Sequence, residues 1–290
     1  MKFPFIAAER AHHSLSLLCR CLRVTRSGFY AWRRRPESAH AKRDRQLKVL
    51  VRASFDASKQ RYGSPRIHRD LIEGQEPVSR KRVIRLMQEE GLKARVRKRV
   101  KLTTMSDHDQ PVAANLLDRQ FTAEAPNQRW VGDTTEFVIG EHGKLYLAAI
   151  LDLFSRKVIG WAMDTSLESV LVEQAFHMAV QNRKLVEGLL HHTDRGSQYA
   201  SGGYRKLLTG YDIQASMSNT GDCFDNAPME SFFSTLKCEQ VHLQNYITRA
   251  EARTDIFAYI EGFYNRLRRH SSLGYLSPEE FERRYYDNLS

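Results

Sequence analysis

The sequence predicts an α/β protein: a mixed five-stranded sheet flanked by helices, preceded by small all-α helix-turn-helix units. Both the distribution of charge and the periodicity of the hydrophobic residues differ between the first and the second part of the chain. Residues 1–105 contain 27 Lys and Arg against 9 Asp and Glu, whereas residues 106–290 contain 18 against 25. Helical periodicity and capping residues dominate the first part, and apolar runs typical of β-strands begin at Asn127. A part with a net charge of +18 thus precedes one with −7, which predicts a polyanion-binding half joined to a half with another task.

Length and composition favour a folded, intracellular protein of two or three domains. The chain has 290 residues, of which 41% are hydrophobic, and no apolar run reaches the length of a transmembrane helix. The start, MKFPFIAAERAHH, lacks the apolar core and cleavage site of a secretory signal. The four cysteines (Cys19, Cys21, Cys223 and Cys238) have no Cys-x-x-Cys spacing, so we expect reduced structural thiols rather than a zinc site.

Residues 1–45 are predicted to form a helix-turn-helix DNA-binding unit. The stretch HSLSLLCRCLRVTRSGFYAWRRR (13–35) is typical of two short helices, with Thr25 as the N-cap of the second. In this arrangement Phe29 and Trp32 point inward and Arg26 is exposed. A three-helix packing unit without a DNA role has a similar pattern and remains an alternative.

A second basic, helix-turn-helix-like unit is predicted over residues 46–102. Ser64 and Ser79 are the expected N-caps of its helices, Pro65 takes the first position of one, and Gly91 ends the other. In helix-turn-helix proteins the start of the second helix meets base edges. Four cations stand there and are candidate DNA contacts: Arg80, Lys81, Arg82 and Arg85. A solvated basic face without a ligand is the alternative.

A phosphate-contacting segment and a linker are predicted between the two halves. The run KARVRKRVK (93–101) has six cations in nine residues, a composition typical of segments that follow a phosphate backbone. Residues 103–126 are polar and are predicted to form an interdomain linker.

Residues 127–247 contain the patterns of the predicted sheet. Three apolar runs separated by short turns, RWVGDTTEFVI, KLYLAAILDLFS and KVIGWAMD, favour antiparallel strands. A capping box at 165–168 is predicted to open a helix that ends near Arg183, and GLLHHTD and IQASMS are the fourth and fifth strands, with a helix between them. Long helices are predicted at 227–241 and 249–268, with residues 248–290 forming a C-terminal helical segment packed on the core.

Three carboxylates stand on three different predicted elements. Asp133 lies inside the first strand, Asp194 ends the fourth, and Glu230 follows Pro228 in the first turn of a helix, whose cap is expected at Asp225 or Asn226. A carboxylate inside a central strand is costly to bury without a partner. If the two strands are neighbours, the three acidic groups converge into a site for hard divalent cations such as Mg²⁺. Two such ions can activate an attacking oxygen and stabilise a leaving one in phosphodiester transfer.

Each of these residues also has a structural explanation, and there are rivals. Glu230 would complement the helix dipole, and Asp194 would serve a turn. Asp152, at the end of the second strand, remains a rival metal ligand, whereas strand alternation places Glu136 on the wrong face of the first strand. His192 shares a face with the fourth strand's aspartate, but neutral imidazole suits Mg²⁺ poorly.

Several motifs together are similar to one protein family. WVGDTTEF, LDLFSRKVIGWAM, HHTDRGSQYAS, SMSNTGDCFDNAPMESFFSTLKCE and YNRLRRHSSLGYLSPEEF resemble the integrase-like DDE transposases of bacterial insertion sequences. The resemblance covers essentially the whole chain, including VTRSGFYAW and YGSPRIHRDL in the basic half. The 35 residues between Asp194 and Glu230, and Lys237 seven positions after that glutamate, are highly specific features. Within the family, the chain is similar to the downstream product of elements encoded by two overlapping reading frames.

The resemblance implies an RNase H-like integrase catalytic core, with Asp133, Asp194 and Glu230 as the catalytic, metal-binding triad and Lys237 near the bound DNA end. It implies a transposase that cleaves DNA at insertion-sequence ends and transfers strands, using two Mg²⁺ ions for which Mn²⁺ can substitute. The implied partners are terminal-repeat and target DNA, further copies of the chain on DNA, and the upstream reading-frame product as a fusion or partner. The implied location is the bacterial cytoplasm, at the nucleoid.

Two other functions are compatible with the same residues. A catalytically silent DNA-binding regulator of transposition would need only the basic half, although the intact Asp, Asp and Glu argue against it. An RNase H-type nuclease would use the same carboxylates but would cut RNA–DNA hybrids and form no joined products. Because the chain begins at MKFPFIAAER and has no heptad run, we expect a catalytic half that works with an upstream partner.

Overall fold

The structure is a computed structural model that describes residues 2–95, 112–141, 143–219 and 223–289. Beyond Arg95, the cationic run 93–101 lies outside the described residues, as do positions 103–111 of the predicted linker. None of the helices in the described ranges combines the length and the apolar character needed to cross a membrane.

Three short helices form a unit at the start of the chain. They are α1 (Lys2–Glu9), α2 (Leu15–Cys21) and α3 (Arg26–Arg34). The Thr25 hydroxyl accepts a hydrogen bond from the Gly28 N–H at 3.0 Å, which confirms the predicted N-cap of α3. A small core of four buried residues holds the helices together: Ile6, Leu18, Cys19 and Phe29. The sequence predicted α2 and α3 but not α1.

Three further helices follow: α4 (Ala39–Ala57), α5 (Ser64–Glu73) and α6 (Arg80–Glu89). Helix α4 runs through residue 45, where the sequence predicts a boundary between two units. The Ser79 hydroxyl accepts from the Arg82 N–H at 3.3 Å and confirms the predicted cap of α6. The predicted cap at Ser64 is wrong: the Gly63 carbonyl already accepts from the Ile67 N–H, so α5 begins with the serine itself.

A mixed five-stranded sheet forms the second part of the chain and confirms the predicted fold class. Its strands are β1 (Arg129–Val138), β2 (Lys144–Asp152), β3 (Val158–Asp164), β4 (Leu190–Thr193) and β5 (Gln214–Met217). They lie in the order β3-β2-β1-β4-β5. The β1–β2 and β2–β3 pairs are antiparallel, whereas β1–β4 and β4–β5 are parallel. The central strand β1 therefore has one antiparallel and one parallel neighbour.

Six further helices accompany the sheet: α7 (Ser169–Asn182), α8 (Ser197–Ala200), α9 (Gly202–Gly210), α10 (Ala227–Glu239), α11 (Arg249–Phe257) and α12 (Pro278–Asp287). Short 3₁₀ turns occur at Cys223–Asn226, Val241–Leu243 and Ser271–Leu273. Helix α11 continues as a π-helical segment, Ala258–Tyr264.

Two predicted helix boundaries are wrong in detail. The capping box at 165–168 does not form, because the Thr165 N–H donates to Asp164, and Glu168 stands at the N-cap of α7 without a side-chain bond. The regular helix predicted to reach residue 268 instead widens after Phe257. This wider turn is accompanied by a double contact with β3, in which the Asn265 amide bonds the N–H and carbonyl of Val158 at 3.0 and 2.9 Å.

The two faces of the sheet are buried by different parts of the chain. Helices α7 and α9 pack on the face that contains Trp130 and Ile150. The face that contains Val131 and Phe137 is covered by α10, α11 and the π-helical segment, and its core continues into α4–α6. Strand alternation explains why adjacent β1 residues belong to different cores. The second helical unit is therefore packed against the same core as the sheet.

Candidate active site

Asp133 and Asp194 are neighbours across the parallel pair β1–β4. Gly132 pairs with Thr193 in that register, so the next positions on the two strands are the two aspartates. Side chains at the same level of adjacent parallel strands point to the same face. The register therefore brings these two carboxylates together at one end of the sheet.

The electrostatics of Asp133 show that other charged groups are close. Burial raises the pKa of the Asp133 carboxyl well above its usual range, and the negative charges of Asp194 and Glu230 raise it further. The Thr134 N–H, which donates to Asp133 Oδ1 at 2.7 Å, and the Lys237 ammonium act in the opposite direction. Since the pKa rises overall, burial and the acidic neighbours outweigh the favourable contacts.

Asp194 also forms the turn that follows β4. Its Oδ1 accepts a hydrogen bond from the Gly196 N–H at 3.0 Å, which is the turn role suggested by the sequence. A Cβ at position 196 would lie 3.0 Å from that same oxygen, so glycine leaves room for the carboxylate. The turn thus holds Asp194 at the strand end, beside Asp133.

Helix α10 brings Glu230 and Lys237 to the face of β1 that carries Asp133. Alternation places Asp133, Thr135 and Phe137 on that face. The Lys237 ammonium donates to the Thr135 hydroxyl and lies 5.7 Å from the centre of the Phe137 ring. Two turns earlier on the helix, Glu230 is exposed, and partial desolvation raises the pKa of its carboxyl.

The acidic groups suit a divalent cation, although they do not form a closed cage. Carboxylate oxygens are donors that Mg²⁺ prefers, and a cation would relieve the repulsion that raises the pKa of Asp133. Within residues 2–95, 112–141, 143–219 and 223–289, no three Asp, Glu, His or Cys side chains are placed to hold one metal ion as they stand. The two aspartates are adjacent, and Glu230 is near enough to raise the pKa of Asp133.

The rival Asp152 has a structural role. It pairs with Trp130 in the β1–β2 register, three residues from the level of Asp133, a separation of about 10 Å along the strand. Asp152 Oδ2 accepts from the Arg183 guanidinium at 2.6 Å and from the Asn127 N–H at 2.8 Å, and the side chain is fully buried. Neutralised by an arginine, this carboxylate ties β2 to the end of α7.

The two histidines of β4 are neutral core residues. His192 bonds the Ser216 and Ser218 hydroxyls at 2.8 and 3.1 Å, and burial lowers the pKa of its imidazole to about 4. His191 bonds the Tyr204 hydroxyl at 2.8 Å, and burial lowers the pKa of its imidazole to about 3. Both rings are committed to packing and hydrogen bonding between strands and helices.

The predicted DNA contacts of the basic half fall into two groups. Arg26, Arg80 and Lys81 are exposed at the starts of α3 and α6. Arg82 and Arg85 instead form ion pairs of 2.7 and 2.8 Å with a carboxylate of α4. That carboxylate is Asp44, and its hydrogen bond with Arg85 is the main reason its pKa is lowered to about 2. The sequence did not indicate this role for Asp44, because the partners are about 40 residues apart.

The start of α10 is held in a way that the sequence did not predict. The predicted cap position is confirmed, since Asn226 is the N-cap residue of α10, but its side chain makes no capping bond. Its amide instead donates to the Gly132 carbonyl at 3.2 Å, on the residue before Asp133. This bond joins the 3₁₀ turn that precedes α10 to β1.

Known protein families match both parts of the chain. An integrase core domain matches residues 123–223 and again 211–278, and an HTH-like domain matches residues 42–100. A structure of the HTLV-2 integrase catalytic core domain in complex with magnesium aligns with 55% of this chain and 98% of that chain, at 19% identity and a TM-score of 0.41. The sheet order and the domain matches define a protein with an integrase-type catalytic core and a helix-turn-helix-like unit.

Two curated relatives narrow the assignment. The transposase InsF for insertion sequence IS3A of Escherichia coli (strain K12) is 42% identical over 284 residues, which are 97% of this chain and 98% of that protein. A 31 kDa protein of insertion element IS600 from Shigella sonnei is 39% identical over 269 residues, or 93% of this chain and 98% of that protein. The chain belongs to the IS3 family of insertion-sequence transposases.

Proposed function

We propose that this transposase cleaves DNA at the ends of its insertion sequence and transfers the strands to a target, with Asp133, Asp194 and Glu230 as the metal-binding carboxylates. The observation that carries the proposal is the β1–β4 register, which sets Asp133 beside Asp194. The raised pKa of Asp133, due to burial and to its two acidic neighbours, supports a site that would be stabilised by a bound cation.

The donor set suits two Mg²⁺ ions, or Mn²⁺ in their place, because both ions favour carboxylate oxygen. When bound, such ions would activate the attacking oxygen and stabilise the leaving oxygen of a phosphodiester. Asp133 and Asp194 are placed by strands and would hold the ions rigidly. Glu230 would complete the site from α10.

Lys237 would contact the phosphate backbone of the DNA end. Its ammonium is held between the Thr135 hydroxyl and the Phe137 ring, on the face that carries Asp133. An ammonium fixed in this way can stabilise a DNA phosphate beside the reacting one without losing much side-chain entropy on binding. Since Glu230 is exposed in the first turn of the same helix, DNA can approach the carboxylates along α10.

The basic half would bind the terminal-repeat DNA. Exposed cations at the starts of α3 and α6 are its expected contacts, namely Arg26, Arg80 and Lys81. Arg82 and Arg85 remain candidates, although each is engaged by Asp44 in the free protein. Further copies of the chain and the upstream reading-frame product are the expected partners on DNA, in the bacterial cytoplasm.

A strand-transfer assay tests the proposal. Four proteins are compared: the wild type, Asp133→Asn, Glu230→Gln and the control Glu136→Gln. Each receives terminal-repeat DNA, Mg²⁺ and the upstream reading-frame product. Glu136 lies three residues from Asp133 on the same strand and pairs with Lys144 at 2.8 Å, so the control removes a carboxylate that faces away. Asp133→Asn and Glu230→Gln should lose at least about 1000-fold in transfer rate, as removal of essential catalytic groups does elsewhere.

DNA binding measured in parallel separates the alternatives. Both catalytic variants should keep wild-type affinity for terminal-repeat DNA, and a chelator should stop transfer without releasing DNA. Equal activity in all four proteins would refute the assignment of the carboxylates, whereas no transfer by the wild type would refute the enzymatic proposal and favour a DNA-binding regulator. Cleavage of RNA–DNA hybrids without joined DNA products would favour a nuclease.

A further inference from the structure

The segment that leads from the basic half into the core is fastened to the edge of the sheet. We call residues 114–119 the connecting segment. The Ala114 carbonyl accepts from the Met217 N–H of β5 at 3.4 Å, and the Ser216 hydroxyl accepts from the N–H groups of Leu116 and Leu117 at 2.9 and 3.2 Å. Leu117 is buried in the core. The predicted linker is therefore ordered in this part and belongs to the sheet domain.

Asp225 joins this connecting segment to the turn before α10. Its carboxylate is buried and accepts three hydrogen bonds: from Asn115 Nδ2 at 2.9 Å, from Arg119 Nε at 2.9 Å and from the Asn219 N–H at 2.8 Å. Burial opposes ionisation, but the bonds from Asn219 and Arg119 lower the pKa of the Asp225 carboxyl overall. The Asp225 carboxylate is thus charged, and it accepts hydrogen bonds from the connecting segment on one side and from Asn219 on the other.

The next residue, Asn226, joins the same turn to β1. Its amide donates to the Gly132 carbonyl at 3.2 Å, and its side chain is buried. A Cβ at position 132 would lie 2.9 Å from the His191 ring, so only glycine allows β1 to run this close to β4 here. The Asn226 bond therefore fixes the start of α10 against the backbone beside Asp133.

Ordinary helix capping does not explain these contacts. A capping side chain bonds the N–H groups of its own helix, whereas Asn226 makes no such bond and Asp225 bonds groups outside α10. The partners lie instead on the strand that carries one proposed metal ligand and on the segment that leads to the DNA-binding half. Glu230, another proposed ligand, follows four residues later.

We propose that Asp225 and Asn226 are positioning residues for strand transfer, which set the place of Glu230 relative to Asp133 and couple it through Arg119 to the connecting segment. The inference rests on the proposed catalytic role of the triad. Neither residue is assigned contact with DNA or the reacting atoms. Their loss should therefore slow the chemical step while leaving the binding of terminal-repeat DNA unchanged.

Single-turnover strand transfer at saturating terminal-repeat DNA tests the inference in the full-length chain with its upstream product. Asp225→Asn and Asn226→Ala should slow the rate about 100-fold, the cost of misplacing a reacting group by about 1 Å. Arg119→Gln should slow it about 10-fold, and Arg119→Lys should restore part of the loss because the cation returns. Arg119 is half exposed, so this pair of variants should fold even if Asp225→Asn does not.

Two control variants separate positioning from general destabilisation. Arg283→Gln removes another exposed, ion-paired arginine, on α12, and should transfer strands at the wild-type rate. Asp152→Asn removes another buried, arginine-bound carboxylate, far from Asp133. If Asp152→Asn, at a temperature where it is folded, slows transfer as much as Asp225→Asn, the effect is general and the inference is wrong.

Hydrogen exchange of the metal-free protein gives a readout that does not depend on activity. Amides in the first turns of α10 should exchange faster in Asp225→Asn and Arg119→Gln than in the wild type or Arg283→Gln. Wild-type exchange and wild-type transfer in both variants would overturn the inference. If the wild type transfers no strands, the proposed function fails, whereas the exchange data still decide whether Asp225 holds α10 in place.

Discussion

Helix α10 has a glutamate at each end, and the pKa values of the two carboxyls are shifted in opposite directions. Glu230, in the first turn, is exposed and has a raised pKa. Glu239, the last residue of the helix, is buried, yet its pKa is lowered. The Arg268 guanidinium donates to both Glu239 oxygens at 2.8 and 2.9 Å, the Tyr259 hydroxyl donates at 2.9 Å, and Arg66 lies 3.4 Å away.

Helix position alone would give the reverse order. A helix N-terminus favours a carboxylate and a C-terminus disfavours it. Here the surrounding tertiary structure outweighs the helix, because three cationic or hydroxyl donors surround Glu239, whereas partial desolvation raises the pKa of Glu230. The difference shows that tertiary contacts, rather than position along the helix, set the pKa of each glutamate in α10.

The largest expected effect is on stability at the far end of α10. Glu239→Gln should lower the free energy of unfolding by about 3–5 kcal/mol, because it leaves the buried Arg268 and the half-buried Arg66 without their counter-charge. Glu230→Gln should change it by less than about 1 kcal/mol, since the side chain is exposed. Urea denaturation of both variants measures the contrast, and equal losses would remove the distinction between the two ends.

Acid should destabilise the region around Glu239 through His270. Burial first, and then Arg268, Arg66 and Arg156, lower the pKa of this imidazole to about 2. The folded protein therefore keeps His270 neutral, whereas the unfolded chain takes up a proton below about pH 6.5. Between pH 6.5 and 5 the stability should fall by about 1.4 kcal/mol per pH unit for each such histidine.

The variant His270→Gln identifies that contribution. Thermal or urea unfolding across the same pH range should show that the free energy of unfolding of the variant falls less steeply with acid, by the contribution of one histidine. The neutral rings of His191 and His192 continue to contribute in both proteins. A pH dependence identical to that of the wild type would show that His270 is not held neutral.

At the proposed metal site, removing a charge should stabilise the protein. The pKa of Asp133 is raised in the folded state, so its stabilising contribution is present below about pH 4 and is lost as the pH rises through the folded pKa. Without divalent metal at pH 7, Asp133→Asn should therefore raise the free energy of unfolding. Asp152→Asn should lower it, because Arg183 loses a partner. Loss of stability in both variants would contradict the comparison.

The smallest expected effects concern cations of the basic half. Arg80→Gln and Lys81→Gln should each reduce the slope of log affinity against log salt by about 1, since these exposed cations are free to meet phosphates. Arg82→Gln should alter that slope less and cost stability, because Asp44 loses a partner at 2.7 Å. DNA titrations at several salt concentrations check this, and equal slopes for all three variants would count against the assignment.

Local patterns in the sequence were sufficient for much of the fold. Apolar runs separated by turn signals predicted the five strands, and Thr25 and Ser79 predicted two helix starts, because each signal depends on residues within one turn or one strand. The same signals placed Asp133 on a strand, Asp194 at a strand end and Glu230 in the first turn of a helix. The failed capping box at 165–168 shows the limit: the Thr165 N–H found a nearer acceptor in Asp164.

Only the tertiary structure decided which charged groups meet. The parallel pairing of β1 with β4 put Asp133 beside Asp194, and it also left Asp152 at a distant level, where Arg183 neutralises it. Glu239 is neutralised by arginines 29 and 173 positions away in the chain. Residue type and local spacing determined which side chains could carry charge on each element. They could not determine the partners, because an electrostatic partner is chosen by proximity in the folded molecule and many distant arginines and carboxylates were equally available in the sequence.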